Sequence, residues 1–207
     1  MEPTNIKGLW IGISGLGALI GATIAVASFP GAAFAENPTG QFDWHLVGFA
    51  LSIGISFALA QWLLLSNLVA DKRAMNTFLT ALWLIASTAG IVAILFPLWW
   101  MPWGQIILAP HMTVAVMIPG SLVLGFGQRM VLGQLGKAGN RYVWLTCFGV
   151  AAGGYLGLIG AFLLIYLSNG LLPINHTWAL LFGLIVGAFQ CRPLEKTIKS
   201  AAARDSN

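Results

Sequence analysis

The polar residues able to do chemistry within this chain are few, and they come in threes. Three histidines, His45, His111 and His176, each open an apolar run, in the contexts DWH, APH and INH. Three glutamines, Gln61, Gln128 and Gln190, lie inside apolar runs shortly before charged groups, in QWLLL, GQRMVL and FQCRPL. Neutral imidazoles at one level could hold a metal or a pigment-type macrocycle, or titrate as a pH sensor. Buried amides could hydrogen-bond between helices or line a polar path for a solute.

Spacing separates these possibilities. Seven and three residues before the glutamines stand small residues: Gly54 and Ala58, Ser121 and Gly125, Gly183 and Gly187. At about 100° per residue the small pair and the glutamine share one helix face. In lipid, small residues let backbones approach and side-chain amides bond across, each such bond contributing about 0.6 kcal/mol. An interhelical packing layer is therefore the reading of the glutamines, with a solute path as its alternative. The offsets from histidine to glutamine differ among the three, so the imidazoles do not share a face with the amides. They read as interfacial residues at helix starts, with a shared ligand site as the alternative and no metal predicted.

The elements that must carry these residues follow from composition. Hydrophobic residues make up 58% of the 207 and charged residues only 8%, with a mean hydropathy of +0.84. A soluble domain of this size is far more polar, so the solvent is a bilayer. Residues 8–35, 44–70, 74–128 and 142–191 contain no Asp, Glu, Lys or Arg. A span needs about 20 apolar residues, so the two longest tracts hold two spans each. Six helices are predicted, over 8–29, 46–68, 77–97, 111–133, 142–167 and 177–194. Pro30, Pro97, Pro102, Pro110 and Pro173, with Asn169 and Gly170, mark the intervening turns. Lys7, the apolar stretch to Phe29 and Ala33-Phe34-Ala35 resemble a secretory leader, but the stretch exceeds the usual 7–15 residues and reads as the first helix.

The fold class predicted is an all-α integral membrane protein, a single domain spanning 1–207. Tryptophans Trp10, Trp83 and Trp144 lie near the inner ends of alternate helices, each followed five residues later by Gly15, Thr88 or Gly149. Together with the glutamine stripes they divide the chain into three tandem helical hairpins, about 8–70, 76–134 and 141–196. Parallel repeats favour a pseudo-threefold arrangement about the membrane normal. All ten lysines and arginines fall at the ends of the chain or in the second and fourth loops, which places both termini in the cytoplasm of a bacterial-type plasma or internal membrane. Residues 197–207 read as a disordered cytoplasmic tail. The net charge of +4 then describes a surface facing anionic lipid and implies no nucleic acid.

Function classes narrow accordingly. Trp44, Trp103 and Trp178, with Trp99 and Trp100, form an outer aromatic belt that, with the histidines, could also make a cup for a small solute. Glycine ridges on helix one (Gly8, Gly12, Gly15, Gly17, Gly21) and helix five (Gly149, Gly153, Gly154, Gly157, Gly160) allow close contacts inside the bundle or with another protein. No carboxylate or histidine lies at mid-depth, as ion-coupled transport generally requires. Cys147 and Cys191 form no CxxC, Ser121 has no histidine at its depth, and no glycine run leads into GK[ST]. Enzymatic activity is not expected. Six helices in about 200 residues with an aromatic outer face resemble, in size and topology only, the vitamin-binding membrane subunits of energy-coupling transporters, and no functional residue carries over. Two functions remain: an accessory, assembly or scaffold subunit of a larger membrane complex, with bound lipid or pigment compatible and no cofactor assigned; or a small-solute-binding transport subunit.

Overall fold

The structure is a computed structural model that describes residues 3–29, 44–69, 76–98, 110–136 and 138–205. Six helices make up nearly all of it: α1 (Pro3–Ser28), α2 (Trp44–Leu68), α3 (Thr77–Leu98), α4 (Pro110–Leu135), α5 (Asn140–Leu167) and α6 (Ile174–Asp205). Each carries a stretch long and apolar enough to cross a membrane. The chain is thus a multi-spanning membrane protein in contact with lipid, with helices as its only regular elements among the described residues. A helix bonds most of its backbone to itself and so can cross hydrocarbon; Pro119 in α4 and Pro193 in α6 each leave one carbonyl without its helical partner.

The helix ends follow local chemistry. At the end of α5, Asn169 and Gly170 adopt φ of 52° and 82°. This left-handed turn lets Gly170 N–H donate to the Ile165 carbonyl at 2.8 Å and Asn169 N–H to that of Tyr166 at 3.2 Å, capping the helix. At the start of α3, the Asn76 side chain accepts from the Leu79 N–H at 2.9 Å. One expectation is corrected: α6 does not stop near 194 but continues to Asp205, through much of the segment read as a disordered tail. A Glu195–Lys199 pair at 2.8 Å, one helical turn apart, and the strong helix formers Ala201, Ala202 and Ala203 support the extension.

Consecutive helices pack side by side, and α6 returns to α1, so the six close into a ring. Lys7 near the start of α1 pairs with Glu195 late in α6 at 3.1 Å, which puts both chain ends at the same end of the bundle. Glycine sets the closest approaches. A Cβ on Gly21 would stand 2.6 Å from Ile53 Cα, and one on Gly120 would stand 2.5 Å from Ile94 N, so α1 lies on α2 and α3 on α4 with backbone nearly touching backbone.

Two apolar clusters fill the interior. The one nearer the chain ends contains Trp10, Trp62, Trp83, Tyr142, Val131 and Leu194. Trp83 lies edge-on to Trp10, with centroids 6.3 Å apart, and tilted against Trp62 at 6.0 Å. The other cluster contains Phe49, Phe57, Ile94, Leu124, Phe182 and Trp178. On α4 and α6 the glutamines lie between the two clusters in sequence, and on α2 Gln61 lies within the cluster nearer the chain ends, between Ala58 and Trp62.

Candidate functional site

Gln61 on α2, Gln128 on α4 and Gln190 on α6 are completely buried. Their amides form a closed cycle. Gln61 Nε2 donates to Gln190 Oε1 at 3.1 Å, Gln190 Nε2 to Gln128 Oε1 at 2.9 Å, and Gln128 Nε2 to Gln61 Oε1 at 2.9 Å. Each Nε2 has a second hydrogen to place, and each finds a hydroxyl on the helix that precedes its own. Gln61 donates to Ser14 Oγ on α1 at 2.9 Å, Gln128 to Ser87 Oγ on α3 at 2.9 Å, and Gln190 to Thr146 Oγ1 on α5 at 3.2 Å. All six amide hydrogens are thereby bonded within the protein. Tyr142 adds a further donor, its hydroxyl reaching Gln128 Oε1 at 2.9 Å.

The small residues explain how three amides meet. Gly54 faces Thr88 on α3, where an added Cβ would stand 3.1 Å from the Thr88 Cα. Gly125 faces Val143 on α5 at 3.2 Å, and Gly187 faces Ser14 on α1 at 3.0 Å in the same sense. Gly183 lies against the Ser14 carbonyl and Gly15. Ala58 is buried in the cluster nearer the chain ends, and Ser121 turns its hydroxyl back to the Ile118 carbonyl at 2.8 Å. Each stripe therefore seats its even helix against the odd helix that follows, α6 meeting α1.

The hydroxyl partners were not among the residues the sequence pointed to. Ser14, Ser87 and Thr146 each stand four residues after a buried aromatic, Trp10, Trp83 and Tyr142. That spacing was available in the sequence, but Trp144 masked it in the third instance. The structure corrects the alignment: Trp144 is 61% exposed, and Tyr142 occupies the interior place. An aromatic-x-x-x-hydroxyl pattern would have found all three.

The histidines sit in the first turns of α2, α4 and α6. His45 and His111 are exposed, and His45 lies edge-on to Phe29 with centroids 6.3 Å apart. The Nδ1 of His176 and the neighbouring Asn175 Oδ1 are buried without a hydrogen-bond partner. Among the described residues no group of three metal-ligating side chains comes together. The expected aromatic cup is divided. Trp178 is an interior residue, stacked on Phe182 at 5.2 Å and donating to the Gly154 carbonyl at 3.3 Å, whereas Trp44 is largely exposed. Trp103, with Trp99 and Trp100, lies outside the described residues.

Compared with known proteins, the chain matches no family model, no curated protein and no solved structure.

Proposed function

We propose that this chain is a non-catalytic accessory, assembly or scaffold subunit of a larger membrane complex, built as three tandem hairpins about a pseudo-threefold axis with both termini in the cytoplasm. The observation that carries the reading is the glutamine cycle. Its amide hydrogens are all bonded, its members are fully buried, and apolar clusters lie to either side. A solute path would need polar groups facing a cavity, whereas these face one another. What such a bundle offers to other molecules is its outer surface.

The repeat reading is supported by chemistry that recurs hairpin by hairpin: one amide, one hydroxyl on the preceding helix, one small-residue stripe against the next. The accessory reading is supported by buried amides that bond their hydrogens inside the bundle and by two glycines on α1. Among the ten glycines of the two ridges, Gly8 and Gly12 alone have open space where a side chain would project. The rest of both ridges serves contacts inside the bundle, so a partner helix seated on a glycine ridge would meet the first half of α1.

Purification of the tagged protein in mild detergent, followed by native and denaturing mass spectrometry and an absorbance spectrum, tests this. The expected result is a stoichiometric foreign subunit, with or without bound pigment. A solitary chain that carries a small organic molecule, or that moves one across liposomes, overturns it in favour of a solute-binding subunit.

A further inference from the structure

The end of the bundle that carries both termini has a cavity of about 380 Å³ lined by Lys7, Arg141, Tyr142, Arg192, Glu195 and Lys196. Four of these side chains are cationic and one is anionic. Glu195 is already held by Lys7 at 3.1 Å and by Lys199 at 2.8 Å. Among the described residues no carboxylate pairs with Arg141, Arg192 or Lys196. A cluster of like charges held on packed helices repels itself, and an anion seated among them relieves that repulsion.

The backbone adds to the same field. Gly139, which also lines the cavity, precedes the first turn of α5, and no side chain caps that end. The turn contains no acidic residue, so the positive end of the helix dipole is unopposed at the cavity. Three helices thus contribute: α1 through Lys7, α5 through its first turn and Arg141, α6 through Arg192 and Lys196. The two guanidiniums present planar forks suited to tetrahedral oxyanions, and the lysines supply point charge beside them.

We infer that this cavity is a binding site for a phosphate-bearing anion, supplied either as the headgroup of an anionic phospholipid or as a free phosphate. Its position at the interfacial end of three spanning helices suits a headgroup whose acyl chains run along the exposed apolar faces. The inference does not depend on the accessory reading, since a solitary protein would carry the same site.

The test uses the full-length protein in detergent and native mass spectrometry with added phosphatidylglycerol, phosphatidylcholine or inorganic phosphate. Phosphatidylglycerol is expected to be retained over phosphatidylcholine, and Arg141→Gln and Arg192→Gln are each expected to weaken its retention by about fivefold. Arg129→Gln, which removes one charge from α4 without belonging to the cavity lining, should change it less than twofold. Glu195→Gln should strengthen retention. Inorganic phosphate bound with the same dependence on Arg141 and Arg192, and without preference between the lipids, would identify the free anion as the ligand. Equal retention of both lipids with no phosphate bound, or equal losses in all three charge-removing variants, overturns the site and leaves only diffuse attraction. Size-exclusion profiles of each variant confirm that differences arise in folded protein.

Discussion

Gln61 Nε2 donates to Gln190 Oε1 across 3.1 Å, although 129 positions separate the two residues in the chain. This bond joins α2 to α6, and with its two counterparts it ties together three helices that are not consecutive. Gln128 is the most heavily used member, donating to Gln61 and Ser87 and accepting from Gln190 and Tyr142. Gln128→Leu is therefore expected to cost about 2 kcal/mol at roughly 0.6 kcal/mol per interhelical bond. Gln61→Leu and Gln190→Leu, with three bonds each, should cost somewhat less. Thermal unfolding in detergent checks the order, and a Gln128→Leu protein as stable as the parent would refute a structural role for the cycle.

Tyr142 and Trp144 make a paired prediction. Tyr142→Phe keeps the buried ring and removes the hydroxyl that reaches Gln128, so a loss of about 0.6 kcal/mol is expected. Trp144→Leu alters a side chain that projects from the bundle, and its effect should stay within about 0.5 kcal/mol. The opposite ranking would restore Trp144 as the interior counterpart of Trp10 and Trp83.

Much of this arrangement was legible in the residues, and what was not has physical causes. The six spans follow from charge-free tracts, because a single segment satisfies its own backbone in lipid only as a helix, and about 20 apolar residues reveal one. Gln61, Gln128 and Gln190 stood out because amides are costly in hydrocarbon unless bonded. Ser14, Ser87 and Thr146 did not, because a hydroxyl can bond its own helix backbone and so gives no sign of an interhelical partner. Trp178 was misplaced among interfacial tryptophans: the same amphipathic ring that suits a membrane surface also suits an interior site when a carbonyl such as that of Gly154 accepts its N–H. The cationic cavity was hidden for another reason. Lys7, Arg141 and Arg192 are far apart in sequence, and only the return of α6 to α1 and α5 gathers them.

Glycines that share one helix are expected to differ sharply. At Gly21 a methyl group would meet Ile53 Cα at 2.6 Å and the Ser52 carbonyl oxygen at 2.8 Å, backbone atoms that yield only if α1 and α2 separate. Gly21→Ala should cost about 1–3 kcal/mol, as overpacking does. Gly12 has nothing within 4 Å, so Gly12→Ala should be neutral or stabilising by up to about 1 kcal/mol from helix propensity alone. Gly12→Leu carries the functional question. A protein that keeps its melting temperature but loses a copurifying subunit would place the partner on this face of α1, whereas retention of that subunit would send the search elsewhere.

The same charges that line the cavity predict how the bundle is oriented in the membrane. Lys7, Arg141, Arg192, Lys196 and Lys199 gather at the end of the bundle that holds both termini, while the α5–α6 turn at Asn169 and Gly170 lies at the other end of its helices. Basic residues near span ends are retained on the cytoplasmic side during insertion. In a background with Cys147 and Cys191 replaced by alanine, a cysteine at the neighbouring, exposed Leu171 should therefore react with a membrane-impermeant maleimide added to intact cells. One introduced at Ser206 should react only after the membrane is opened. The reverse pattern would put the termini and the cationic cavity on the outer surface, where the phosphate-bearing anion would have to come from the outer leaflet or the external medium.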